Sequence, residues 1–136
     1  MRNTVKLATT ALSLAAIFAG TSMLPGVAGA ASEESIKMGK QVAVDRKKGN
    51  CLACHMMGDG VSPGDIGPPL IAMKARFPER AKLRAQIWDA QVANPGTRMP
   101  PFGKHKALSE AEIDAIVDYL YTLQRDRAKH FETFRR

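Results

Sequence analysis

Cysteine is scarce in this chain. Cys51 and Cys54 stand alone among 136 residues, which excludes a small scaffold held together by disulfides. Histidine is nearly as rare, at His55, His105 and His130, and aromatic residues make up only 6%. No segment shows the apolar–polar alternation of a half-buried strand, there is no internal repeat, and no glycine-rich phosphate loop is followed by Lys-Ser or Lys-Thr. The one extended apolar run lies in the first thirty residues. It is too short and too rich in Gly, Ala and Ser to span a bilayer comfortably. A multi-domain enzyme, a membrane transporter and a collagen-like repeat are thereby ruled out. What remains has the length of one domain, with 45% hydrophobic and 24% charged residues and a formal net charge of +7, the balance of a soluble, basic globular protein.

Residues 1–30 read as an address. Arg2 and Lys6 form a basic start, Leu7 to Leu24 is mostly apolar and small with no acidic group, and Ala28-Gly29-Ala30 fits the small-x-small cleavage pattern. This is the pattern of a secretory signal peptide. Residues 31–124 then form a single domain, and 125–136 a strongly charged C-terminal extension. A domain this small buries a limited share of its surface and benefits from a cofactor to build around.

The pattern within the domain is all-α. Ile36 to Lys47 has helical spacing, with Ile36, Gly39 and Ala43 near one face and Gly49-Asn50 as the stop. Residues 58 to 69 carry Gly58, Gly60, Pro63, Gly64, Gly67, Pro68 and Pro69 and make a loop. Pro78 suits the first turn of a second helix running to about Ala93, with Leu83, Ile87 and Ala90 on one stripe. Asn94-Pro95-Gly96 breaks it, and Met99 to Gly103 is extended. Ser109 and Glu112 form a capping box that opens the last helix. Its Ile113, Ile116, Val117, Leu120 and Leu123 keep one apolar face.

Cys51-Leu52-Ala53-Cys54-His55 carries the chemistry. Cys-x-x-Cys-His is the attachment pattern of a c-type haem. Two thiols at this spacing add across the two vinyl groups of the porphyrin, and the short turn sets His55 beside the iron as an axial ligand. A thioredoxin-like redox pair needs a βαβ context that is missing here. A structural zinc site needs two further ligands, and His105 and His130 do not supply them at zinc-finger spacing. A metal-bound histidine donates its other ring N–H to a carbonyl or carboxylate, and the rigid Gly67-Pro68-Pro69-Leu70 segment offers one, best at Pro68. For the second axial position the candidates are Met56, Met57, Met73, Met99, His105 and His130. Met99, in a proline-bounded loop between two helices, is the best placed, with His105 the alternative. Both thioether and imidazole are sound ligands.

With these motifs the chain resembles the class I cytochromes c. Gly39, Cys51 to His55, Gly67 to Leu70, Met99 to Gly103 and Tyr119-Leu120 carry the resemblance, which spans nearly all of the chain after residue 30. It implies a small all-α fold wrapped around one covalently attached haem c. His55 and Met99 would be the axial ligands of the iron, Pro68 the carbonyl that orients His55, and Gly39 and Tyr119 the crossing of the first and last helices. Within that class, Gly49 to His55, Gly64 to Leu70, Asn94 to Gly103 and Leu108 to Ile113 are similar to the SoxX family, the monohaem subunits of SoxAX complexes in periplasmic sulfur oxidation. That likeness implies a periplasmic electron-transfer subunit with no catalytic site of its own. Its partner would be a SoxA-like cytochrome that couples thiosulfate to a carrier-protein cysteine (an L-cysteine S-thiosulfotransferase), and a downstream cytochrome would accept the electrons.

Two other functions stand beside this one. A freely diffusing class I cytochrome serving an oxidase or a photosystem would carry the same motifs. A haem enzyme or sensor would need an open iron position, which a Met99 ligand argues against. The basic balance points to an acidic partner surface, for which Lys47, Lys48, Lys74, Arg76, Arg80, Lys82, Arg84, Lys104 and Lys106 are candidates.

Overall fold

The computed structural model describes residues 31–123. The leader expected at 1–30, the extension at 125–136 and His130 lie outside the described residues. Within them all regular structure is helical, as expected: α1 (Glu33–Val44), α2 (Met73–Arg76), α3 (Arg80–Trp88) and α4 (Glu110–Thr122), with 3-10 turns at Cys51–Ala53 and Ala90–Val92. No helix of the described residues is long and apolar enough to cross a membrane.

α4 forms as its sequence dictates. Ser109 Oγ accepts the Glu112 backbone N–H, and the Glu112 carboxylate accepts the Ser109 backbone N–H at 2.9 Å, a complete capping box. Ile113, Ile116, Val117 and Leu120 are buried. Ala115 and Tyr119 are buried too, so the apolar face is wider than the stripe predicts.

α1 starts three residues before the expected Ile36. Ser32 caps it by accepting the Ser35 N–H at 3.1 Å, and Glu33 and Glu34 occupy the first turn, where carboxylates favour a helix N-terminus. It also ends earlier, at Val44, because Asp45 turns the chain. Its carbonyl accepts the N–H of Lys48 and of Asn50, and its carboxylate accepts that of Lys47. α1 and α4 then cross at Gly39, where a Cβ would run into the Ala115 carbonyl. The crossing expected at Gly39 and Tyr119 is where the two helices meet: the closest approach to Gly39 is the Ala115 backbone, and Tyr119, one turn further along α4, is buried with its hydroxyl against Gly58.

Two further differences concern the middle of the chain. The helix expected from Pro78 to about Ala93 starts at Arg80 and stops at Trp88, because Asp89 leaves the helical region and its carboxylate caps the turn that follows, accepting the Gln91 N–H at 3.1 Å. α2, only four residues long, is too short to leave a periodic signal in the sequence. The Tyr121 hydroxyl donates to the Phe77 carbonyl at 2.8 Å, and the Ala72 N–H bonds the Leu123 carbonyl at 2.9 Å. These bonds tie the end of α4 to both flanks of α2.

Candidate functional site

The helices do not close on one another. They leave a cavity of about 710 Å³, walled by Met73, Leu83, Ile87, Leu108, Ile116 and Leu120 and reached by Cys51, Cys54, His55, Pro68 and Met99. That volume lies within the range of about 300–1,000 Å³ usual for cofactor pockets.

The Cys-x-x-Cys-His segment is shaped by its own turn. Asn50 adopts a left-handed conformation, and the N–H groups of Cys54 and His55 both bond back to the Cys51 carbonyl at 3.1 and 2.9 Å. The loop that follows is fastened to this turn by three backbone bonds, from Gly64 to Leu52, from Gly67 to Cys54 and from Leu70 to Met56. His55 Nδ1 lies 2.7 Å from the Pro68 carbonyl. With its proton on Nδ1 the ring donates to that carbonyl, and the Nε2 lone pair is left for a metal. Gly67 lies flat against the imidazole, where any Cβ would enter the ring.

These residues fit a c-type haem. Two thiols, an imidazole with one nitrogen already engaged and a thioether all reach one apolar cavity. Burial pushes the Cys51 thiol up to about 11, the reverse of the lowered value a redox-active thiolate needs. No group of three or more His, Cys, Asp or Glu side chains comes together among the described residues to hold a metal ion.

The structure also separates the candidates for the second ligand. Met56 and Met57 do not reach the cavity, and Met57 is core filling, 1% exposed. His105 is exposed and stands outside the cavity wall. Met73 lines the cavity, but its sulfur accepts a guanidinium N–H of Arg76 at 3.4 Å. Met99 lines the cavity half-buried, its backbone N–H bonded to Thr97 Oγ1 at 3.2 Å.

A family model described as cytochrome c oxidase, cbb3-type, subunit III matches residues 33–120. The chain belongs to that cytochrome c family. Membership carries a covalently bound haem c and an electron-transfer role. The cytochrome is similar to a crystal structure of SoxXA from P. pantotrophus, with a TM-score of 0.58 and 29% sequence identity, over 64% of this chain and 80% of that one. It is also 36% identical over 77 residues to an uncharacterized lipoprotein of Aquifex aeolicus (strain VF5). That match takes in 55% of this chain and 37% of the relative, so the cytochrome matches little more than a third of that protein's length. The fold is that of a small, SoxX-like class I cytochrome c.

Most of the cytochrome's candidate docking cations are already engaged. Arg80 pairs with Asp114 and Asp118, Arg84 with Asp114 and Glu110, Lys82 with Glu79, Lys104 with Asp89 and Lys48 with Glu112. Lys48 holds the Glu112 carboxyl below its ordinary value, and Lys104 does the same for Asp89. Around the cavity mouth, Arg46, Arg76 and Arg98 make no ion pair among the described residues. Arg46 and Arg98 are not among the docking candidates the sequence offers, where nothing distinguishes a rim arginine from any other. Thr97 could have been noticed, because a threonine two residues before Met99 has the spacing of a side-chain turn.

Proposed function

We propose that this cytochrome is the SoxX-like, electron-accepting subunit of a periplasmic two-subunit enzyme that couples thiosulfate to a carrier-protein cysteine. Cys51 and Cys54 would hold one haem covalently, His55 and Met99 would ligate its iron, and Pro68 would orient His55. The observation that carries the reading is the His55–Pro68 hydrogen bond, made at the wall of the same cavity that Cys51, Cys54 and Met99 reach. Likeness to SoxXA supports the choice of complex.

Haem c, when bound, supplies a one-electron iron couple. The chain's own residues do the rest. Pro68 fixes the plane of the His55 ring and, by accepting the Nδ1 proton, makes Nε2 a better donor. A thioether at Met99 favours the ferrous state over a second imidazole. Leu83, Ile87, Ile116 and Leu120 keep water from the cavity, and the arginines at its mouth favour an acidic partner surface and speed encounter at low salt. In this reading substrate chemistry falls to the partner. Joining thiosulfate to a thiol forms one S–S bond and releases one proton and two electrons. A one-electron acceptor therefore serves twice per turnover.

The test mixes the chain, a SoxA-like partner, the carrier protein and thiosulfate. The expected result is turnover that needs both cytochromes, with no coupling activity in this chain alone. Full turnover with the chain omitted would leave it a freely diffusing carrier.

A further inference from the structure

We infer that Trp88 and Asp89, at the C-terminal end of α3, form a latch that sets the position of the Met99 loop, and so act as positioning residues for the sixth iron ligand. The inference rests on the reading of Met99 as that ligand. Trp88, Asp89, Gly103 and Lys104 all stand outside the cavity wall, so they influence the iron only through the loop they hold.

Three kinds of contact build the latch. The Trp88 carbonyl accepts the backbone N–H of Gly103 at 3.1 Å and of Lys104 at 3.3 Å. The Trp88 indole presses on Gly103 so closely that a Cβ there would enter the ring, which makes glycine a requirement of this contact. The Asp89 carboxylate, on a residue only 8% exposed, takes the Lys104 ammonium at 2.9 Å while also accepting the Gln91 N–H.

The latch has a brace behind it. The Arg84 guanidinium stacks over the Trp88 ring, 5.4 Å from its centre, and is itself held by Asp114 at 3.0 Å and Glu110 at 2.8 Å. Arg80, one turn earlier, pairs with Asp118 and Asp114. α3 is thus fastened to α4, and its end grips the loop. On the other flank of Met99 the bonds are neutral and local, from its N–H to Thr97 Oγ1 at 3.2 Å and from the Thr97 N–H to the Asn94 carbonyl at 3.0 Å. Beyond Met99 the Phe102 carbonyl accepts the N–H of Ala107 and of Leu108. Removing the latch takes away the one ion pair that residues 94–108 make among the described residues and the grip of the α3 end on the loop.

An exogenous ligand competes with Met99 only in the fraction of molecules whose loop has let go, so its apparent affinity rises in proportion to that fraction. The probe is imidazole, titrated into the oxidised holoprotein and followed by loss of the sulfur-to-iron charge-transfer band. Gly103→Ala forces the indole and the loop apart and is expected to raise the apparent affinity on the order of tenfold. Asp89→Asn and Lys104→Ala each remove one partly exposed ion pair and are expected to raise it about threefold, the pair of changes together giving no more than either alone. Lys104→Arg keeps the charge and restores the wild-type value. Covalent haem content stays unchanged throughout.

Failure of the latch and failure of the ligand reading are distinguishable. A wild-type protein without the charge-transfer band overturns both. A wild-type band that Met99→Ala abolishes, with imidazole affinities in Lys104→Ala and Asp89→Asn equal to wild type, overturns the latch alone. Lys104 is 55% exposed, so its truncation leaves no gap in the core and decides the matter even if Gly103→Ala does not fold.

Discussion

His55 and Met99 meet in one cavity but are delivered to it in different ways. The His55 side is built from its own stretch of chain. Backbone bonds from Gly64, Gly67 and Leu70 return to Leu52, Cys54 and Met56, and Pro68 takes the ring nitrogen. The Met99 side has local bonds too, Met99 to Thr97 and Thr97 to Asn94, but is also gripped from elsewhere by the end of α3, which itself depends on arginine–carboxylate pairs to α4. A site assembled from near neighbours forms whenever its segment folds. One held through tertiary packing loosens whenever that packing does. Damage far from the cavity should therefore reach Met99 before it reaches His55.

The most damaging change to this contrast is Gly67→Ala. Its Cβ enters the His55 imidazole, and overpacking at so rigid a point is expected to cost on the order of 3 kcal/mol. Denaturant unfolding should show the loss, together with reduced haem incorporation, because the His55 side itself is displaced. Met99→Ala should act differently. Loss of a half-buried methionine is expected to cost about 2 kcal/mol, the low end for core truncations. Haem content should stay full, the potential should fall, and the oxidised protein should bind imidazole readily. His105→Ala should change none of these. If the two substitutions produced the same phenotype, the contrast between the sides would be lost.

The smallest expected effect is that of acid. Lys104 lowers the pKa of Asp89, Lys48 that of Glu112 and Lys40 that of Asp59. A carboxyl whose folded value is depressed contributes stability above its unfolded value, and loses it as the pH falls through the folded one. Stability should therefore be flat above about pH 5 and decline below the ordinary carboxylate values near 4. Imidazole affinity, referred to the neutral imidazole present at each pH, should begin to rise over the same range as the Asp89–Lys104 pair is lost, while the His55 side keeps its backbone bonds. A pH titration of both quantities on one sample checks this.

What was legible in the sequence follows the same division. The Cys51-to-His55 turn, the Pro68 carbonyl and the capped α4 are local patterns, and local patterns can be read. The start of α1 was missed because its cap, Ser32, lies outside the apolar stripe that marks a helix. α2 was missed because four residues carry no period. The proline-bounded loop marks Met99 as a candidate, but the contact of Trp88 with Gly103 is not legible, since a tertiary contact between a helix end and a loop leaves no spacing rule behind. The docking cations show the same limit. Lys104, Arg80 and Arg84 are basic in the sequence whether or not a carboxylate lies beside them in the fold.

The most direct test of the central claim is acid–acetone extraction of the holoprotein, with the mass of the polypeptide read afterwards. With Cys51 and Cys54 as thioether attachments, the haem stays on the chain and the polypeptide carries the added mass of one haem, whereas in Cys51→Ala/Cys54→Ala it does not. Quantitative release of haem from the wild-type protein, or zinc in its place by metal analysis, would contradict the account.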